Sequence, residues 1–576
     1  MLKGLFAGLL NRGATRVPAP AASDELGLAV DLLLQGDDAG AAQICKRRLQ
    51  RDPDSVKAWE LLGAAALNLL DYPAACEHFE RVLALAGETP QHLANAAEAN
   101  RRAERCGRAL ELIQSALALQ PGEAAFLHIQ VLALEGCWRI EEALAACREA
   151  LALHPDFAKL HTSYMRLLNC VGADAMLILE AHCEWARRFA GTRTQVLRHD
   201  NPAQAARRLR IGYVSADFRQ HAASDFILPL LEHHDHARYE VYCYSNTPKA
   251  DAITRRCEEL ASHWRDIAMV ADEAADTLVR ADGIDILIDL SGHTAGNRLP
   301  LFARKPAPVQ MTFLGYPGTT GLAEMDYRLT DRYTDPPGAS DAHYRERLLR
   351  LPHSLWCYQP PASMPLPGPS PFLRSGHITF GSLNSMSKLT PQTIALWSRL
   401  LLLLPQSRLL LAGVSAAEGR ERIEAEFARH EVAPQALSIS PGLGREDFWA
   451  LHQDIDIALD SFPYNGGATT CATLWLGVPV ISMAGTLFQS RAGLSILATL
   501  GLRELVADDP DDFVRMALDL ARDPQRLGKL RSGMRERMRA SPLLGVKAYT
   551  RDLEDLYRAA WTRWCEGRLS AGGGAC

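Results

Sequence analysis

Four alanines recur at one interval in the first third of the chain: Ala41, Ala75, Ala109 and Ala143 each follow the last by thirty-four residues. Four positions beyond them stand Cys45, Phe79, Ile113 and Cys147, and positions 53, 87, 121 and 155 carry Pro, Gly, Pro and Pro. The Pro or Gly ends the same helix in every unit, so the period predicts a pair of helices per unit. The alanine lets the two backbones approach, and no unit buries its apolar face without neighbours. The units must therefore stack into an array.

The interval, with Trp59, Leu62 and Gly63 in one unit, resembles the tetratricopeptide repeat. Such an array is either a rigid spacer or a concave groove for a peptide or protein, and a groove is the expected use. Residues 156–190 read as further helices continuing the stack. The repeat array is expected over 23–195, after a flexible segment 1–22, with Asn201 to Arg208 as its exit.

Beyond Leu209 the pattern changes. Short β-rich runs, RIGYVS, YEVYCYS and IDILIDL, alternate with helical stretches such as 251–264, which predicts a parallel sheet with crossover helices over 196–359. Six of the twelve residues from Pro360 to Pro371 are proline, which neither a helix nor a central strand tolerates, so 360–371 is expected to be a linker. HITFGSL, SRLLLAG, ALSIS, DIDIALD and VPVISM then predict a second α/β half over 372–576, ending in a helix from about Val546 to Arg568. Two Rossmann-like halves suggest a ligand cleft at the carboxyl ends of their strands, the outline of a GT-B glycosyltransferase. No GxGxxG follows a strand with an acid about twenty positions on, which disfavours a dehydrogenase.

A chain of 576 residues is too long for one core, and its 48% apolar content suits several folded domains. A net charge of -6 gives no general footprint for nucleic acid. The thirteen cysteines form no CxxC pair, which points to reduced thiols. The start MLKGLFAGLLNRG is a poor secretory signal, and no stretch reaches the length of a membrane helix, so a cytoplasmic protein without a membrane partner is expected.

Chemistry concentrates in five segments: GYVSADFRQHAASDF (212–226), LIDLSGHTAGNRL (287–299), QMTFLGYPGTTG (310–321), GSLNSMSKLTP (381–391) and DSFPYNGGATT (460–470). In the last, a glycine turn leads from an apolar strand into a helix, where unpaired N–H groups and the positive dipole end favour an anion. In their order, the five segments resemble the protein O-GlcNAc transferase family, and with the repeats the similarity runs from about residue 25 to near the end. The resemblance implies transfer of N-acetylglucosamine from UDP-GlcNAc to Ser or Thr of proteins, with inversion and with neither metal nor other cofactor. The partners it implies are the UDP-sugar and a protein or peptide in the repeat groove.

Residue by residue, Lys388 is expected to meet the charge growing on the leaving UDP, since it precedes the helix start Thr390-Pro391. Gly466, Gly467, Ala468, Thr469 and Thr470 would offer main-chain donors and hydroxyls to the same pyrophosphate, with Asn384 and Ser385 on the opposing loop. Leu443 to Arg445 resembles the family's uracil-side loop. His221, just beyond strand RIGYVS, is the candidate general base, because a free imidazole titrates near about 6.5. Asp289 and His293 could hold the sugar or orient the acceptor, although Asp289 could equally cap its turn. Tyr316, Pro317 and Gly318 are expected to line the donor-sugar pocket.

Two other patterns are set aside. His233, His234 and His236 read as an exposed helix end, and Asp454-Ile455-Asp456 heads a strand, so neither is a metal site. Relatives usually carry TTCDALW after the glycine turn, whereas this chain has Ala472 in place of the aspartate expected to hold the ribose hydroxyls. That departure keeps two alternatives open: a catalytically weakened repeat scaffold that binds UDP-sugar or peptide, or a related transferase using another UDP-sugar.

Overall fold

The computed structural model describes residues 25–191, 199–414 and 416–567; the segment 1–22 lies outside the described residues. Clustered by contacts, the chain falls into two compact units, one reaching Leu167 and including Val414–Ala425, the other comprising Leu168–Gly413 and the chain from Glu426 on.

Ten helices come first among the described residues: α1 (Glu25–Gln35), α2 (Asp38–Arg51), α3 (Val56–Asn68), α4 (Tyr72–Ala86), α5 (Pro90–Arg102), α6 (Cys106–Leu119), α7 (Ala124–Gly136), α8 (Ile140–Leu153), α9 (Ala158–Val171) and α10 (Ala175–Phe189). The four period alanines fall on α2, α4, α6 and α8, and all four are fully buried, as are Cys45, Phe79, Ile113 and Cys147. The thirty-four-residue period is thus the period of the array's core. Asp37 and Asp71 cap α2 and α4 by accepting from the N–H groups of Gly40 and Ala74. At Gly63 on α3 a Cβ would stand 2.8 Å from the Phe79 ring, so glycine is what allows this crossing. α10 belongs to the second unit.

The second unit carries two sheets. The first has strands β1 (Leu209–Ser215), β2 (Tyr239–Ser245), β3 (His263–Asp266), β4 (Ile286–Asp289), β5 (Val309–Thr312), β6 (Tyr327–Asp331) and β7 (Arg347–Leu351) in the order β3-β2-β1-β4-β5-β6-β7. The second has β8 (Thr379–Ser382), β9 (Arg408–Leu411), β10 (Leu437–Ile439), β11 (Ile457–Leu459), β12 (Val480–Met483) and β13 (Val506–Ala507) in the order β10-β9-β8-β11-β12-β13. Every pairing is parallel. Parallel strands are covered by crossover helices on both faces, which is why β1 is buried at every position except Arg210. Each sheet reverses its order once, between β1 and β4 and between β8 and β11, and such switch points open crevices at the strand ends.

The expected strands are present, and five more join them, β5 among them in the segment QMTFLGYPGTTG. β3 lies at the end of the stretch read as helical over 251–264, where the helix stops at Leu260. Its sequence HWRD has no apolar alternation because it is a half-exposed edge strand. β6 hides Arg328 in its middle, which breaks the apolar run a buried strand would show. β7, RLLRL, and the two-residue β13 are likewise weak patterns.

The C-terminal helix Val546–Cys565 closes back over the first sheet. Tyr549, Leu553, Tyr557, Ala560 and Trp561 share that sheet's core. His234 is buried rather than exposed: one ring nitrogen bonds the Tyr213 hydroxyl at 2.8 Å and the other Glu554 of this helix at 2.9 Å. Asp456 is structural, accepting from the N–H groups of Phe372 and Thr379, and so ties the end of the proline-rich stretch to the second sheet.

Candidate active site

Every segment singled out for chemistry follows the carboxyl end of a strand, and the switch points bring several together. Asp217 to Phe226 follow β1, Thr294 follows β4, Gly315 and Pro317 follow β5, Lys388 follows β8 and the glycine turn follows β11. Residues from all five wall a cavity of about 320 Å³, which also includes Trp356 and Phe488. A second cavity of about 350 Å³ adjoins it, sharing His221, Ala222 and Ala468, and is lined further by Leu443, Arg445, Phe448, Thr469 and Ala472.

Lys388 ends a short 3-10 turn just before Thr390, whose hydroxyl caps the helix Pro391–Leu403 by accepting from Thr393 N–H. Its ammonium donates to the carbonyl of Asn465 at 2.9 Å and stands 4.2 Å from the centre of the Tyr464 ring. Desolvation pulls the Lys388 pKa below its ordinary value, and the field of Asp460 pushes it partly back. A cation held with so little compensation favours an incoming anion.

The glycine turn is fastened from beneath by Asp460. Its carboxylate accepts from Gly466 N–H at 2.7 Å, from the Ser482 hydroxyl at 2.7 Å and from Asn384 Nδ2 at 3.1 Å. Burial outweighs these bonds and pushes the Asp460 pKa up to about 6. A Cβ at Gly466 would stand 2.6 Å from Thr470 Oγ1, and one at Gly467 would stand 2.7 Å from Trp356. The glycines are therefore needed for packing within the protein as well as for any ligand. Gly467 caps the helix Ala468–Trp475 without a side chain, so the first N–H groups of that helix carry no capping acceptor.

Several residues expected at the site have polar atoms engaged within the protein. Asn384 is buried behind the turn, Ser385 is exposed with its hydroxyl on Ser387, and Thr470 is buried and donates to the carbonyl of Gly466. Asp289 takes the capping role: its carboxylate accepts from the N–H groups of Ser291 and Gly292 and from the Thr312 hydroxyl. His293 donates from Nε2 to the carbonyl of Thr320 and packs edge-on against Trp185 and His182 of α10. The Tyr316 hydroxyl bridges Asn169 and His182, at 2.9 Å each. Burial pushes His182 down to about 4 and His293 well below its ordinary value, which disfavours the charged form of each ring. Arg328 grips the loop from below through the carbonyls of Gly318 at 2.6 Å and Tyr316 at 2.9 Å. Of this loop, Gly315 and Pro317 reach the cavity, while the Tyr316 hydroxyl ties the loop to α10 through His182 and the Gly318 carbonyl is held by Arg328 of β6.

Asp289 makes a measurable difference to pH dependence. Burial raises its pKa from 3.8 to about 6, so the folded protein holds that proton more tightly than the unfolded chain. Its contribution to stability is complete below about pH 3.8 and is lost as pH rises through about 6. Urea unfolding of wild type and Asp289→Asn should differ progressively less in favour of wild type across that interval. A difference in midpoint that stays constant from pH 4 to pH 7 would contradict the assignment.

At His221, Nδ1 accepts from Ala223 N–H at 3.2 Å and lies 3.7 Å from Asp217. A neutral ring with Nδ1 so engaged carries its proton on Nε2 and offers a donor. Acting as a base at Nε2 would require the other tautomer and loss of the Ala223 bond. The sequence carries no individual signal for Asp225, Trp356, Phe448 or Asp460, although Asp225 lies within the segment 212–226 and Asp460 within 460–470. No periodicity or spacing marks a side chain that reaches a cavity only through folding. Among the described residues no cluster of three or more His, Cys, Asp or Glu is arranged to hold a metal ion, and no helix is long and apolar enough to cross a membrane.

A helical repeat array followed by two doubly wound halves, with a cavity at both switch points, defines a GT-B-like protein of the two-Rossmann kind. The chain belongs to glycosyl transferase family 41, whose profile matches residues 191–359 and 371–553. The tomato (Solanum lycopersicum) protein named probable UDP-N-acetylglucosamine–peptide N-acetylglucosaminyltransferase SPINDLY is 39% identical over 426 residues, covering 72% of this chain and 46% of that protein. Its rice (Oryza sativa subsp. japonica) counterpart of the same name is 39% identical over 435 residues, covering 74% and 47%. The chain thus spans about half the length of the curated relatives it matches. A solved structure of an O-GlcNAc transferase mutant from Thermobaculum terrenum is 34% identical, with a TM-score of 0.80 over 95% of this chain and 100% of that one.

Proposed function

We propose that the chain transfers N-acetylglucosamine from UDP-GlcNAc to serine or threonine hydroxyls of proteins, with inversion and without a metal. The observation that carries this reading is the convergence of Lys388, His221 and the uncapped start of the helix Ala468–Trp475 on one cavity at the switch points of both sheets. Membership of family 41 and the names of its relatives supply the donor and the acceptor class.

In the reaction, the acceptor oxygen forms a bond to the anomeric carbon as the bond from that carbon to the diphosphate breaks, and the acceptor hydroxyl's proton passes to an oxygen of the departing diphosphate. The charge gathered on the departing UDP is met by the Lys388 ammonium and by the main-chain donors at Ala468 and Thr469, groups already in place before reaction. His221, through Nε2–H, would hold an oxygen of donor or acceptor. The apolar walls Phe226, Trp356 and Phe488 would keep water from the sugar. The repeat array would present the acceptor protein, and a cytoplasmic setting fits thirteen cysteines that form no CxxC pair.

Incubation with UDP-GlcNAc, other UDP-sugars and an acceptor protein mixture, read by UDP release and by mass spectrometry, tests this. UDP release with a HexNAc mass increment on Ser or Thr, strongest with UDP-GlcNAc, is the expected result. An increment of a different sugar mass would instead identify a transferase with another donor. Ala472, which leaves a wall of the second cavity without a carboxylate, is the feature favouring that second reading, or a scaffold that binds UDP without turnover.

A further inference from the structure

The second cavity has a single carboxylate among its described lining residues, Asp225, and it comes from the opposite half of the unit to the helix that carries Ala472. Asp225 is the second residue of the helix Ser224–His233 beyond β1, and Arg445 opens the helix Arg445–Leu451 beyond β10. Both Asp225 oxygens accept from the same Arg445 nitrogen, at 2.8 Å each. The pair bridges the two halves, and the acid's side chain remains 16% exposed. A carboxylate offers about four lone-pair positions and Arg445 uses two, so each oxygen can accept once more. Arg445 in turn lies 5.2 Å from the Trp449 ring centre, and the Phe448 ring flanks the same cavity.

The ligand chemistry follows from what the cavity offers along its length. At Ala468, shared with the first cavity, it offers helix N–H groups and suits an anion. Ala472 lies four residues on, about 6 Å along the helix axis, where the wall is apolar. On the same cavity, Asp225 repels an anion and accepts from neutral hydroxyls. Phe448 offers an aromatic ring to the same cavity, while Arg445 covers the Trp449 ring. An anion joined to a vicinal diol and then to a planar ring matches this series, which is the build of a nucleoside diphosphate.

We infer that Asp225, positioned by Arg445, binds the ribose 2′- and 3′-hydroxyls of the donor nucleotide from the first α/β half. This rests on the reading that the donor is a nucleotide sugar. Because Asp225 and the phosphate-facing helix sit on different halves, a bound ribose would tie the two together at the Asp225–Arg445 bridge.

Calorimetry of the full chain with UDP and with 2′,3′-dideoxy-UDP tests the assignment. Wild type should bind UDP about ten- to a hundredfold more tightly than the dideoxy compound, the usual worth of hydrogen bonds to a charged acceptor. Asp225→Asn and Asp225→Ser should bind the two compounds nearly alike while keeping wild-type affinity for dideoxy-UDP, which also reports that the fold is intact. A wild type with no preference, or a variant that keeps it, overturns the role of Asp225 and leaves the nucleotide-sugar reading standing. Failure of wild type to bind UDP at all overturns both.

Discussion

Lys388→Ala is expected to lower turnover by about a hundred- to a thousandfold, the usual cost of removing one preorganised group that stabilises transition-state charge. The reason is local. The ammonium rests on one carbonyl and one aromatic face, and desolvation has already lowered its pKa. Its strongest electrostatic partner would be a charge that develops during reaction, so the loss should fall on kcat more than on donor binding. The fold should persist, because removing a poorly compensated buried cation takes away a desolvation penalty. UDP release under saturating donor, with thermal melting as the control, reads both quantities. Turnover close to wild type would remove Lys388 from the chemistry.

Asp460→Ala should do the reverse damage, destabilising the chain by about 2–6 kcal/mol, because it strands two buried donors that each cost about 1–3 kcal/mol when unmade. Those donors are Gly466 N–H and the Ser482 hydroxyl, while Asn384 Nδ2 keeps its bond to the Ser461 hydroxyl. Turnover should fall as well, since the glycine turn and the loop bearing Lys388 are both held through this carboxylate. Asp460→Asn keeps an acceptor for the turn and removes a carboxyl that burial pushes up to about 6, so its loss should be much smaller. Urea unfolding of the two variants at pH 7 distinguishes them. An alanine variant as stable as the asparagine variant would mean that solvent replaces Asp460 at little cost.

The two predictions separate two sides of one cluster. Lys388 faces the cavity and should matter to the reaction, whereas Asp460 lies beneath the turn and should matter to the architecture that holds the reaction. The sequence shows both in characteristic segments without distinguishing their duties. The same holds for the sugar-side segments. Asp289, His293 and Tyr316 stand in recognisable motifs, yet their polar atoms are largely spent on turns and on α10. Their glycine and proline neighbours, Gly315 and Pro317, reach the cavity instead.

The features legible in the chain alone are those that repeat or alternate. The thirty-four-residue period specified the helical array because every one of its core positions is a buried contact between successive helices. The strand and helix alternation specified two parallel sheets, because apolar runs of strand length must be covered on both faces. The order of five motifs pointed to the family. Only the tertiary structure decided which side chains meet. Asp225 reaches Arg445 across two hundred and twenty residues, His234 is buried because a C-terminal helix brings Glu554 to it, and Asp460 supports the turn from beneath. These contacts join residues distant in the chain, and they exist only because parallel strands bring the loops at their carboxyl ends to one place.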